Sequence, residues 1–226
     1  MDGNAAMARK RVAILISGRG SNMSALIDAA KDENYPAEIV LVMSNRPDAG
    51  GLQHAAENGI ATAVVDHKLY GKDREGFEQA LQAVLEQHRV ELVCLAGFMR
   101  LLTPWFISRW TDRLLNIHPA LLPAFKGLDT HRRAIEAGAK EHGATVHLVV
   151  PEMDSGPIIA QGQVPVLAGD NESSLAKRVL AVEHRIYPLA LKLVAAGRVR
   201  VEGDHCVIDG PVSTDDAALL PGAKIS

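Results

Sequence analysis

The 226-residue chain is 47% hydrophobic, enough for one large domain or two small ones with a proper core, which excludes intrinsic disorder. Its 24 Lys+Arg against 27 Asp+Glu give a formal net charge of −3, and aromatic residues make up only 4%. Neither a basic field nor a stacking platform therefore speaks for nucleic acid as a partner. The only cysteines, Cys94 and Cys206, form neither a C-x-x-C pair nor a disulfide framework, which predicts a reducing, cytoplasmic compartment and removes most structural zinc sites. No apolar run approaches the roughly 18 residues of a membrane span, and the run after Lys10-Arg11 stops at Ile16, so neither a span nor a signal peptide is expected.

In chain order, short β-branched apolar runs predict buried strands over Val12–Ser17, Ile39–Ser44, Ala61–Val65, Glu91–Ala96 and Leu114–His118. Helical patterns lie between them, the clearest over Lys72–His88, where Phe77, Leu81, Val84, Leu85 and His88 share one face. Such alternation implies βαβ units: an α/β fold with a mainly parallel central sheet, helices on both faces, and ligand sites at the carboxyl ends of the strands. After His118, prolines and glycines break the chain into loops and short strands, expected at Ala144–Val149 and Ile158–Val164. A last long helix is expected from an Asn171 N-cap to a C′ residue at Gly197, kinked at Pro188. The organisation read from this is an N-terminal tail (1–10), a single domain (11–210) and a C-terminal tail (211–226). Within the domain a nucleotide-type front half of about 11–110 precedes a loop-rich back half of about 111–210.

Four segments carry candidate chemistry. In Ser17-Gly-Arg-Gly-Ser-Asn22, Gly18 and Gly20 stand between a strand and a helix opening near Ser21. That is either a tight βα turn or a phosphate cradle; Ser21 and Asn22 add side-chain donors and favour the cradle. It is not a dinucleotide fingerprint, because Met23 holds the third glycine position and Ser44-Asn45-Arg46 offers no ribose-binding acid. In Leu114-Leu-Asn-Ile-His-Pro119, Asn116 and His118 project from the same face of a strand end. His131, His142 and His147 match no metal-ligand spacing and are taken as structural residues or supports behind the site. Asp154, in Val150-Pro-Glu-Met-Asp-Ser-Gly-Pro157, is either a turn residue bonding its own backbone or a carboxylate that orients a histidine and favours its charged form. Leu95-Ala-Gly-Phe-Met-Arg-Leu-Leu102 is either a strand-to-helix connection or an apolar wall for a flat heterocycle.

Together with Gly-Ala-Thr-Val-His at 143–147 and Glu-His-Arg-Ile-Tyr-Pro at 183–188, these segments resemble, in order and over roughly Val12–Gly210, the phosphoribosylglycinamide formyltransferase family of folate-dependent formyltransferases. The resemblance implies a Rossmann-like formyltransferase fold without a metal. It implies transfer of a formyl group from the co-substrate 10-formyltetrahydrofolate to the primary amine of glycinamide ribonucleotide, in purine biosynthesis. It makes Asn116, His118 and Asp154 the catalytic trio, with Asn116 and His118 stabilising an oxyanion and Asp154 raising the pKa of His118. Gly20, Ser21, Asn22 and Glu183 would bind the ribonucleotide. Arg74, Met99, Arg100, Leu101 and Leu102 would bind the folate, along with Asn116 and the loop Val150, Pro151, Glu152, Met153 and Asp154. Partners would be these two small molecules, with no nucleic acid and no membrane, and a homodimer is allowed. Arg19 and Leu180 depart from the residues expected of relatives at those positions. A methionyl-tRNA formyltransferase, a formyltetrahydrofolate hydrolase, an NADP-dependent oxidoreductase using Gly18, Gly20 and Arg46, and a non-catalytic nucleotide sensor are the alternatives.

Overall fold

The computed structural model describes residues 8–221 and 223–225. Seven strands form one sheet: β1 (Lys10–Ile16), β2 (Ala37–Ser44), β3 (Ala61–Val64), β4 (Leu92–Leu95), β5 (Leu114–His118), β6 (Glu141–Leu148) and β7 (Ile158–Pro165). Their spatial order is β3-β2-β1-β4-β5-β6-β7; the first five strands run parallel, whereas β6 and β7 are antiparallel to their neighbours. The expected strands match within a few residues, except that β6 starts three residues before Ala144.

The run Val12–Ile16 is buried throughout, as a strand covered on both faces must be. Alternation along it separates the two cores. Val12, Ile14 and Ile16 pack toward α1 (Ser21–Ala29) and the later helix α6 (Glu172–Ala195), together with Met23, Leu26, Val179 and Ile186. Ala13 and Leu15 face the other way, toward Phe77, Leu81 and Leu85 of α3 (Arg74–Gln87) and Phe106 of α4 (Pro104–Arg109). Among the described residues the remaining α-helices are α2 (Gly51–Glu57), α5 (Thr130–Glu136) and α7 (Thr214–Ala217), with a 3-10 turn over His67–Tyr70. Because the chain runs from β1 outward to β3 and then crosses to β4, the order reverses between β1 and β4, and a crevice opens at their carboxyl ends.

Helix α6 has the boundaries its sequence predicts. Asn171 accepts from the Ser174 N–H and Ser174 Oγ accepts from the Asn171 N–H, a reciprocal capping box. Gly197, at φ +67°, follows the last turn. Pro188 lies inside the helix, which continues through it as one element, and Tyr35 Oη donates to its carbonyl at 2.7 Å.

The described part of the expected C-terminal tail, 211–221 and 223–225, packs on the domain. Strands β8 (Val199–Glu202), β9 (His205–Ile208) and β10 (Ala223–Ile225) form a second, three-stranded sheet. Leu220 is buried, and the Gln161 N–H on β7 donates to the Leu219 carbonyl at 2.9 Å, so this segment covers an otherwise open sheet edge. The small, polar composition of 211–226 conceals this, because few apolar residues suffice to seat a chain along an edge. Residues 1–7 of the expected N-terminal tail lie outside the described residues; Lys10 opens β1, and Arg9 Nε donates to the Ala37 carbonyl at 3.0 Å. Among the described residues no helix is long and apolar enough to cross a membrane.

Candidate active site

Asn116 and His118 leave β5 on the side opposite Leu115 and Ile117, whose side chains belong to the α1/α6 core. The antiparallel partner β6 sets His147 directly across from Asn116 and Thr145 across from His118. His147 Nδ1 donates to the Leu148 carbonyl at 2.9 Å, and burial, the largest influence on it, lowers its pKa and keeps it neutral. Its Nε2 is therefore an acceptor, and Asn116 Nδ2 donates to it at 3.2 Å. This bond fixes which way the Asn116 amide faces. His147, expected to be a structural residue or a support behind the site, holds Asn116 from the facing strand.

His118 is 5% exposed. Its Nε2 donates to the Phe125 carbonyl at 3.0 Å, and its Nδ1 lies 3.6 Å from Asp154 Oδ2. Asp154 is held by its loop. The loop leaves β6 beside Leu114, through the Val149 N–H bond to the Leu114 carbonyl, and folds back along β5 to bring the carboxylate to His118. There Oδ2 accepts the Gly127 N–H at 2.9 Å and Oδ1 lies 3.9 Å from His147 Nε2. Asp154 has φ +49°, and Gly156 two residues on sits so close to β6 that an added Cβ would stand 1.7 Å from the Leu148 carbonyl oxygen. The carboxylate thus reaches across to other segments, which is more than a turn residue needs.

The Gly20 loop and Glu183 meet although they are far apart in sequence. Gly20, at φ +71°, is the N-cap of α1, and Ser21 and Asn22 form its first turn, where free N–H groups and the helix dipole favour an anion. Asn22 Nδ2 donates to Glu183 Oε2 at 2.6 Å. Burial is the main influence on Glu183 and raises its pKa, while the Asn22 hydrogen bond opposes that rise. Arg19 is exposed on the same loop and Leu180 half-buried on α6.

The expected folate segments flank the trio along the chain and leave apolar surface in water. Met99, Leu101 and Met153 are 67%, 65% and 54% exposed, whereas Leu102 packs against the α3/α4 core. Arg100 stands over the Phe77 ring, 6.0 Å from its centroid. Pro151 and Glu152 are exposed and Val150 half-buried. Arg74, expected to face an acidic tail, donates through Nη2 to the Leu101 carbonyl, so at least one of its nitrogens holds the loop itself.

His131 and His142 do not join the trio; their rings meet edge to face at 5.2 Å beside Phe125. Burial first, and the neighbouring His131 and His118 second, push His142 down to about 4. An unfolded imidazole titrates near about 6.5. Below that pH the unfolded chain takes up a proton that the native ring refuses, so this stability is complete above about 6.5 and is lost as pH falls toward about 4. The Tm is expected to drop between about pH 7 and about pH 5, and His142→Phe to flatten that slope. Identical slopes in both proteins would clear His142 of the effect.

With this geometry in view, comparison with known proteins is direct. The formyl transferase family model matches residues 10–191. The chain is 44% identical over 199 residues to the phosphoribosylglycinamide formyltransferase of Escherichia coli, covering 88% of this chain and 93% of that protein. It is 48% identical over 193 residues to the human trifunctional purine biosynthetic protein adenosine-3, covering 85% of this chain but 19% of that much longer protein. The crystal structure of glycinamide ribonucleotide transformylase 1 from Symbiobacterium toebii superimposes with a TM-score of 0.85 at 44% identity, over 88% of this chain and 93% of that one. The order of strands, the helix-capped glycine loop and these likenesses lead to one conclusion: the chain belongs to the formyl transferase family.

Proposed function

We propose that this enzyme transfers the formyl group of 10-formyltetrahydrofolate to the primary amine of glycinamide ribonucleotide, in purine biosynthesis. The observation that carries the reading is the meeting of a half-buried amide, a buried imidazole and a half-buried carboxylate at Asn116, His118 and Asp154, in a chain that also leaves the apolar side chains of Met99, Leu101 and Met153 in water. Exposed apolar surface of that kind suits a flat heterocycle. The glycine loop supplies an anion site for a ribonucleotide phosphate, and buried Glu183, held by Asn22, suits the rest of that substrate.

In this reading the folate co-substrate supplies the formyl carbon, and the amine forms the new C–N bond as the bond to the folate nitrogen breaks. The amine is itself a competent nucleophile, so the chain need form no covalent intermediate. Asn116 donates its second amide hydrogen to the oxygen on which charge develops, the first being bound to His147. The developing oxyanion displaces the Phe125 carbonyl at His118 Nε2, while the Asp154 carboxylate stands 3.6 Å from Nδ1 on the other side of the ring. The amine's proton passes to the departing nitrogen through His118 or water. Residues 11–210 form the catalytic unit, and the two free, buried cysteines support a reducing, cytoplasmic setting.

The test is a direct assay of formyl transfer between the two named substrates; no transfer by the purified wild type would overturn the reading. Gly20→Ala adds a Cβ at 3.2–3.3 Å from the Met23 side chain at a positive φ, which shifts the loop's N–H groups. It is expected to raise KM for the ribonucleotide several-fold and leave KM for the folate unchanged. Equal rises in both would remove the loop from the ribonucleotide site.

A further inference from the structure

Glu78 is 1% exposed, a carboxylate in the apolar stripe of α3 between Phe77 and Leu81. A carboxylate removed from water is costly unless strong hydrogen bonds compensate. Both its oxygens are used on one residue of another element: Oε1 accepts the Thr103 N–H at 2.6 Å, and Oε2 accepts the Thr103 hydroxyl. Thr103 is the N-cap of α4, where a threonine hydroxyl ordinarily accepts from the helix's first turn; here it makes no such bond and turns to Glu78. The sequence thus gives up a helix cap to make this contact.

Thr103 closes the segment that begins at Gly97. That segment borders a cleft of about 320 Å³ lined by Ser17, Asn45, Arg46 and His67 as well as by Gly97, Met99 and Arg100. Phe98 and Leu102 pack against the α3/α4 core, but Met99 and Leu101 stand mostly in water. Polar anchors hold that exposed part: the Met99 N–H donates to Ser17 Oγ at 2.8 Å, Arg74 donates to the Leu101 carbonyl, and Glu78 grips Thr103. Arg74 and Glu78 are four residues apart, one above the other on α3. We propose that Glu78 is a positioning residue for folate binding, which with Arg74 clamps the Met99–Leu102 segment from α3 and holds its apolar side chains ready for the co-substrate. The folate assignment rests on the activity proposed above; the clamp is a property of the chain alone.

The test compares Glu78→Ala with Glu78→Gln. Alanine removes both acceptors, whereas glutamine still accepts the Thr103 N–H and can donate to the Thr103 oxygen. Glu78→Ala is expected to raise KM for 10-formyltetrahydrofolate about tenfold, with kcat and the ribonucleotide KM within about twofold of wild type and Glu78→Gln close to wild type. Without any substrate, amide exchange at Met99–Leu102 should quicken in Glu78→Ala and not in Glu78→Gln. A folded Glu78→Ala with unchanged folate KM, or with both KM values raised equally, would overturn the proposal. Should Glu78→Ala fail to fold, Thr103→Val removes the hydroxyl alone; a raised folate KM supports the clamp and an unchanged one overturns it. If the wild type transferred no formyl group, the activity reading would fall by itself, and exchange at Met99–Leu102 would still decide the clamp.

Discussion

Asn116→Ala is expected to lower kcat by about 10²- to 10³-fold, the usual effect of removing one preorganised donor to a developing oxyanion. A separate loss of stability is expected. In the native protein Asn116 Nδ2 donates to His147 Nε2, so the substitution leaves one buried acceptor without its partner, a cost of about 1 to 3 kcal/mol. Equilibrium binding of each substrate should stay within a few-fold of wild type, because the donor is used where charge develops in the transition state. The measurement is single-turnover formyl transfer beside calorimetric binding. A near-normal rate would remove Asn116 from the reacting centre, and binding lost in proportion to rate would make it a general binding residue instead.

Strands β1 and β4 were legible because each is buried on both faces and must be apolar there, as Val12–Ile16 and Leu92–Leu95 are. The ends of α6 were legible for a local reason: Asn171 and Gly197 each satisfy a backbone need that few other residues meet. Asn116 and His118 stood out through period-two alternation at a strand end. What could not be read is what depends on pairing across the sheet. His147 enters the site only because β6 runs antiparallel to β5 in one register, and a shift of one residue would turn it to the opposite face.

Glu78 was hidden by its residue type. It stands three residues before Leu81 and seven before Leu85, on the buried side of the helix, whereas Glu75 and Glu86 are exposed; a glutamate there reads as the solvated flank of the stripe. Only the arrival of Thr103 from α4 explains its burial. The Phe125 carbonyl at His118 is a backbone contact and leaves no mark on side-chain type. Local chemistry announced the candidate trio, whereas the groups that orient it are fixed by tertiary approach.

Gly156→Ala is expected to damage the candidate site without touching any of its side chains. The new Cβ would stand 1.7 Å from the Leu148 carbonyl oxygen and 2.9 Å from its carbon, so the backbone of the loop must move away from β6. Overpacking of this kind costs about 1 to 3 kcal/mol of stability. The same movement carries Asp154, two residues earlier, away from His118 Nδ1 and the Gly127 N–H. A displacement of about 1 Å in a positioned catalytic group can cost about 10²-fold in rate, so kcat should fall by about that factor while the ribonucleotide KM changes little. If the loss runs through the carboxylate, it should vanish once the carboxylate is gone: in an Asp154→Ala background, Gly156→Ala should lower kcat by less than about threefold further. A full 10²-fold loss in that background would mean that the loop acts on the reaction through something other than Asp154, and its tight seat on β6 would then serve another residue of the 150–157 segment.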